Sequence, residues 1–205
     1  MKLFDLAFSP HCKKVRICAH ELGLPLEIIP VNPRAGDNRN PEYLAKNPMG
    51  KVPTLVDGDF SLWESGAILA YLAAKKPEAG LLPAEPRAHA NVLRWMFWYA
   101  THIEPHATAL ATERIYKPVF RGQPGNDPTI IGVAEEQLAR FLPVLEEQIK
   151  AHEYVAGHFS IADIAVACAL EAHERYKLDL TPYPAVRGWL SRLQARDSWK
   201  KASAA

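Results

Sequence analysis

Residues 47–72 read N-P-M-G-K-V-P-T-L-V-D-G-D-F-S-L-W-E-S-G-A-I-L-A-Y-L, and three kinds of local physics follow one another along them. Val52-Pro53 puts a proline ahead of an apolar run, and a proline inside a strand would forfeit a ladder hydrogen bond. Pro53 is therefore expected at a strand's start or on an edge. A cis bond there would turn the Val52 N–H and C=O outward, free to pair with an extended peptide. Asp57-Gly58 offers a hairpin turn. Glu64-Ser65 then opens a helix, whose first N–H groups and Ser65 hydroxyl suit a carboxylate, while Glu64 suits an ammonium. A small ligand with a peptide backbone, a carboxylate and an amine matches all three parts.

Reading outward toward the N-terminus, residues 2–8 form a short, mostly apolar segment that ends at Ser9-Pro10, as a buried strand does. Ser9 can cap a helix with Pro10 in its first turn, and Val15, Cys18 and Leu22 recur on one face of it. Gly23 stops that helix, and residues 26–31 read as a second strand reached by a right-handed crossover. After a polar loop at 32–40, Asn40-Pro41 starts a short helix that Asn47-Pro48 ends. With a hairpin over 52–62 and a helix over 65–75, the order is β-α-β-α-β-β-α. This is the thioredoxin-like arrangement, an α/β domain assigned to residues 1–76.

Beyond it, residues 77–86 are proline-rich and read as a linker, and 87–205 as an all-α domain. A helix from Arg87 to about His102 carries Trp95-Met96-Phe97-Trp98-Tyr99 in sequence, and Pro105 is expected to kink or interrupt it. Residues 118–128 read as a loop, 129–151 as a long helix containing Pro143, and about 184–196 as the last helix. Ser160 and Asp163 are spaced like a capping box ahead of the apolar run 164–170.

The composition excludes several function classes. A formal net charge of +1 on 205 residues lacks the basic excess of a nucleic-acid-binding protein. Three cysteines without a C-x-x-C suggest neither a disulfide framework nor a zinc site, so reduced thiols and no metal are expected. Asp5 interrupts the N-terminal apolar stretch, which is unlike a signal peptide. No apolar run approaches membrane-spanning length. A cytoplasmic protein with no membrane association is the expectation.

Glutathione, a tripeptide with a central thiol, carries the groups that 47–72 can hold. In a thioredoxin-like layout a thiol bound across Val52 points at the junction of the first strand and helix, where Ser9 can donate a hydrogen bond to a thiolate. A free thiol has a pKa of ~8.5, so the site must favour the ionised form. Cys12, in the first turn beside Lys13, Lys14 and Arg16, has two readings: a reactive thiolate able to form a mixed disulfide, or a small packing residue. His11 likewise is either a polar group near the sulfur or an exposed helix-start residue. Cys18 reads as core, and the Lys13-Lys14-Arg16 run as a solvated face. Lys51 and Arg39 are candidate cations for the ligand's second carboxylate. Trp95, Phe97, Trp98, Tyr99 and His102 either line a pocket for a second substrate or fill the core.

The motifs L-A-F-S-P, N-P-M-G-K-V-P-T-L, W-E-S-G-A-I-L-A-Y-L and F-S-I-A-D-I-A together resemble the cytosolic glutathione transferases over nearly the full length. The resemblance implies a cis Pro53, backbone pairing of Val52 with the cysteinyl part of glutathione, Glu64 and Ser65 at its γ-glutamyl end, and Lys51 and Arg39 at its glycyl end. It implies a homodimer and a detoxifying transferase that uses glutathione as co-substrate and needs no cofactor. No tyrosine ends the first strand, so a serine-type activator, Ser9, is favoured, while Cys12 leaves the class open. The leading expectation is conjugation of the glutathione thiol to a small apolar electrophile. The alternatives are thiol–disulfide exchange through Cys12, glutathione-dependent isomerisation, and a non-catalytic glutathione-binding protein.

Overall fold

Among the described residues, 1–203 of a computed structural model, β1 (Lys2–Asp5), β2 (Glu27–Pro30), β3 (Thr54–Asp57) and β4 (Phe60–Trp63) form one sheet in the order β2-β1-β3-β4. β1 runs parallel to β2 and antiparallel to β3, so Leu3 lies between Ile28 and Leu55 in the centre of the sheet. A parallel neighbour requires a crossover, which helix α1 (Pro10–Glu21) supplies. Asp57 pairs with Phe60, which moves the hairpin turn one residue along, to Gly58-Asp59. Gly58, at φ +64°, takes the left-handed position there. Asp57, freed from the turn, accepts hydrogen bonds from the Tyr71 hydroxyl (2.8 Å) and Lys75 Nζ (2.6 Å) beside helix α3 (Ser65–Ala74).

α1 departs from the expected amphipathic helix, because Lys14 and Arg16 are 2% and 3% exposed and so cannot form a solvated face. A short C-terminal helix, Asp197–Ser203, which the sequence pattern did not reveal, packs on α1 and reaches Arg16. Arg16 meets Asp5 through both carboxylate oxygens at 2.5 and 2.7 Å, and donates further to the Ala7 carbonyl (2.7 Å) and the Ala202 carbonyl (3.3 Å). Four acceptors for one guanidinium make its burial tolerable. Arg196 and Ser198 tie the same C-terminal segment to Glu21 at 2.7 and 2.5 Å. The chain accordingly divides into one unit of 1–82 plus 195–203, and another of 83–194. The expected all-helical span of 87–205 therefore ends earlier, because the final helix completes the first unit.

The second unit contains α4 (Pro86–Trp98), α5 (Glu104–Ala111), α6 (Pro128–Ala151), α7 (Ile161–Leu170) and α8 (Pro184–Gln194). Pro105 has no N–H for the preceding turn, and residues Tyr99–Ile103 accordingly widen into a π-helical turn between α4 and α5. Pro118 does not begin a loop as expected, since a second widened stretch, Thr112–Arg121, runs through it. The Glu113 carbonyl, which Pro118 cannot serve in that wide pitch, accepts from the Asn126 N–H at 3.1 Å. Gly125 is required by this return of the chain, since a Cβ there would lie 2.2 Å from the Glu113 oxygen. α7 is buried along nearly its whole length, and its capping box is formed. Asp163 accepts from the Ser160 N–H and hydroxyl, the Val155 N–H and Trp189 Nε1–H at 3.0–3.1 Å. No helix among the described residues is long and apolar enough to cross a membrane.

Removing one partner of a buried, fully bonded ion pair leaves a bare charge inside. Arg16→Ala is therefore expected to lower unfolding free energy by about 3–5 kcal/mol. Chemical denaturation followed by circular dichroism measures this, and a loss below about 1 kcal/mol would contradict the pair's structural role.

Candidate functional site

The segment 47–65 folds into the lining of an open cleft of about 140 Å³, bounded by His11, Asn47, Met49, Lys51, Val52, Pro53, Trp63, Glu64 and Ser65. The Val52–Pro53 peptide bond is cis, and Pro53 lies just ahead of β3, where no ladder bond is asked of it. Within the described residues no hydrogen bond engages the Val52 N–H or C=O, leaving one donor and one acceptor at the cleft wall. Across from them, Glu64 turns the chain from β4 into α3 at φ +69° and ψ +108°, a conformation that L-residues rarely adopt. That turn leaves the Glu64 carboxylate exposed at the first turn of α3, next to the buried Ser65. A backbone-pairing edge, a carboxylate and a helix start with a hydroxyl thus share one concavity. Lys51, exposed at the same rim, adds a cation.

Sequence reasoning named five of the cleft residues as binding groups, Lys51, Val52, Pro53, Glu64 and Ser65, and weighed a sixth, His11. It missed Asn47, Met49 and Trp63 as lining; Asn47 had been read only as a helix stop. Arg39 lies apart from the cleft, exposed at the end of a short 3-10 turn, Asp37–Arg39. Ser9 lies two residues before His11 and is only 8% exposed. Its Oγ accepts from the Cys12 N–H at 3.4 Å, the capping bond the sequence suggested, and its hydroxyl also interacts with the Cys12 thiol.

Of the two readings of Cys12, burial favours the packing residue over the reactive thiolate. Its side chain is fully buried, and its Sγ accepts from the Leu6 N–H at 3.4 Å. Burial, aided by the Asp5 carboxylate, pushes its pKa up to about 12, outweighing the Leu6 N–H, Ser9 and Arg16. The nearby lysine and arginine charges were the basis for expecting the reverse, but Arg16 is already neutralised by Asp5.

The aromatic cluster divides. Trp95 and Tyr99 belong to the buried core of their unit, at 5% and 4% exposure. Trp98 and His102 are half-buried and form a ladder of rings, Trp98 edge-on to Trp95 at 5.1 Å and His102 stacked on Phe141 at 4.4 Å. Phe97, 68% exposed, points away from that core.

A family model described as the N-terminal domain of glutathione S-transferase matches residues 3–80, and one for the C-terminal domain matches 110–197. Glutathione S-transferase 3 of Zea mays is 35% identical, covering 100% of this chain and 94% of its own length. The crystal structure of glutathione transferase F2 from Populus trichocarpa superposes with a TM-score of 0.91 at 27% identity, covering 98% of this chain and 96% of that one. A structure of glutathione S-transferase-I bound with lactoylglutathione gives 0.89 at 29% identity, covering 99% and 98%.

The burial of Cys12, Cys18 and Cys168 predicts that the native protein shows no fast-reacting thiol. At pH 8 a water-soluble disulfide reagent should label it only after denaturant is added. Rapid labelling of Cys12 in the folded protein would overturn the buried-thiol assignment.

Proposed function

The chain belongs to the glutathione S-transferase family, and from that premise we propose that it holds glutathione in the cleft at 47–65, ionises the thiol and directs it at a small electrophile. The observation that carries this reading is the unpaired Val52 backbone beside the Glu64-Ser65 helix start. A tripeptide laid along Val52 exchanges backbone hydrogen bonds through its cysteinyl residue, as an added strand would. Its α-carboxylate then meets the Ser65 hydroxyl and the α3 N–H groups, its ammonium meets Glu64, and its glycyl carboxylate meets Lys51. Arg39 is the more remote candidate for the glycyl end.

In this pose the sulfur faces the β1–α1 junction. The Ser9 O–H donates to the thiolate, and the start of α1 adds positive potential. The sulfur lone pair then forms a carbon–sulfur bond with the electrophile, while a leaving group departs with its electron pair or an activated double bond takes up the pair and then a proton. The protein contributes proximity and stabilisation of the anion. Cys12 has no part in this sequence, since its thiol is buried and protonated.

The half-buried Trp98 and His102 are the proposed apolar contacts for the electrophile on the helical unit, with Trp95 and Tyr99 as their packed support. We assign the protein to the cytoplasm and to a homodimer, supported by the family alone.

A pH titration of thiolate absorbance in the glutathione complex tests the assignment. The bound thiol should ionise below its free value of ~8.5. Ser9→Ala should return it toward that value and lower kcat/KM by roughly 10- to 100-fold, the worth of one hydrogen bond to a charged group. An unshifted thiol in the wild type would sink the catalytic reading.

A further inference from the structure

The Val52 N–H belongs to the same peptide plane as the Lys51 carbonyl, and that carbonyl is clamped. The Tyr43 hydroxyl donates to it at 2.5 Å and Asn47 Nδ2 at 2.8 Å. Asn47 Nδ2 also reaches Thr54 Oγ1 at 3.0 Å, and Thr54 Oγ1 lies 3.0 Å from the Tyr43 oxygen. Counting protons fixes every direction. Tyr43 has a single hydroxyl hydrogen, spent on Lys51, so Thr54 must donate to Tyr43. Asn47 has two amide hydrogens, one for Lys51 and one for Thr54. Both lone pairs of the Lys51 oxygen are then used, and the network closes with no group left over.

All three side chains are buried, Tyr43 at 4%, Asn47 at 2% and Thr54 at 0% exposure. They come from different places: the short helix α2 (Pro41–Leu44), the loop after it, and the start of β3. Tyr43 is itself held, its ring edge-on to Phe4 of β1 at 5.6 Å and its N–H bonded to Asn40 Oδ1 at 2.7 Å. Asn47 Oδ1 accepts from the Met49 N–H at 3.0 Å, and Asn38 Nδ2 donates to the Gly50 carbonyl at 2.6 Å. The whole approach to Val52 is latched from behind.

The Lys51–Val52 bond is trans, and in a planar trans peptide the C=O and N–H point in opposite directions. A carbonyl fixed inward by two donors therefore fixes the N–H outward. We propose that Tyr43, Asn47 and Thr54 are positioning residues for the tripeptide ligand, holding the Val52 N–H aimed into the cleft. The inference rests on the reading of Val52 as the backbone partner of glutathione. Two donors on one carbonyl also polarise the amide, which strengthens the hydrogen bond its N–H gives. None of the three touches the sulfur, so the network governs binding of the peptide and leaves the chemical step alone.

The test is calorimetric binding of glutathione, with steady-state kinetics, for wild type, Tyr43→Phe, Thr54→Val and Thr54→Ser. Thr54→Val is nearly isosteric and gives a second route should Tyr43→Phe fold poorly. Both hydroxyl-deleting variants are expected to weaken glutathione binding about five- to tenfold, the worth of one neutral hydrogen bond. Their kcat at saturating glutathione should stay within about twofold of wild type, and Thr54→Ser should restore the affinity. Unchanged affinity in the hydroxyl-deleting variants would overturn the proposal, as would a joint fall of affinity and kcat that Thr54→Ser does not rescue. A wild type that binds no glutathione would instead overturn the reading of the cleft, and this inference with it.

Discussion

Much of the first unit depends on one buried charge pair. The Asp5 carboxylate at the end of β1 and the Arg16 guanidinium in the middle of α1 neutralise each other where water is excluded. A lone ion in that place would cost several kcal/mol, so the strand, the helix and the turn between them are locked as a set. The same guanidinium holds the Ala7 carbonyl, two residues before Ser9, and the Ser9 N–H closes the turn by donating to Leu6 at 2.8 Å. The proposed sulfur site thus inherits its rigidity from a salt bridge that never meets the substrate. Burial is what keeps the Cys12 thiol protonated, and the Arg16 cation, already matched to Asp5, does little to oppose it.

The cleft repeats this logic with neutral groups. The atoms proposed to pair with the ligand are backbone atoms, the Val52 N–H and C=O, and backbone atoms can be aimed only by fixing the peptide planes around them. Side chains behind the wall do this through the Lys51 carbonyl, and the cis bond to Pro53 turns the following plane away from the strand's own ladder. Glu64 completes the concavity from the other side, with a strained φ that the junction of β4 and α3 imposes.

The legible parts of this architecture are those coded within a few residues. Ser9-Pro10 as a cap, Pro53 ahead of a strand, the Glu64-Ser65 helix start and the Ser160/Asp163 box are each local devices, and each could be placed from spacing alone. What could not be read depends on partners distant in the chain. The basic run on α1 looked solvated because nothing in its own periodicity announces a covering helix 186 residues away. The two readings of Cys12 stayed open because its burial is set by packing and not by its spacing. Pro118 looked like the start of a loop, although a donor from Asn126 replaces the one it lacks. Tyr43, Asn47 and Thr54 carry no motif, and their meeting at one oxygen exists only once α2 and β3 are packed.

The contact between Arg16 and Ala202 has a consequence for the order of events during synthesis. A chain made from its N-terminus exposes β1, α1 and the rest of the first sheet long before residue 202 exists. Until then the Arg16 Nε–H has no Ala202 carbonyl to meet, and the side of α1 that the last helix contacts is open to water. The first unit therefore cannot reach its final form on the ribosome while the helical unit is being made. Its last helix is made only after the helical unit, so the first unit is encoded on both sides of the second.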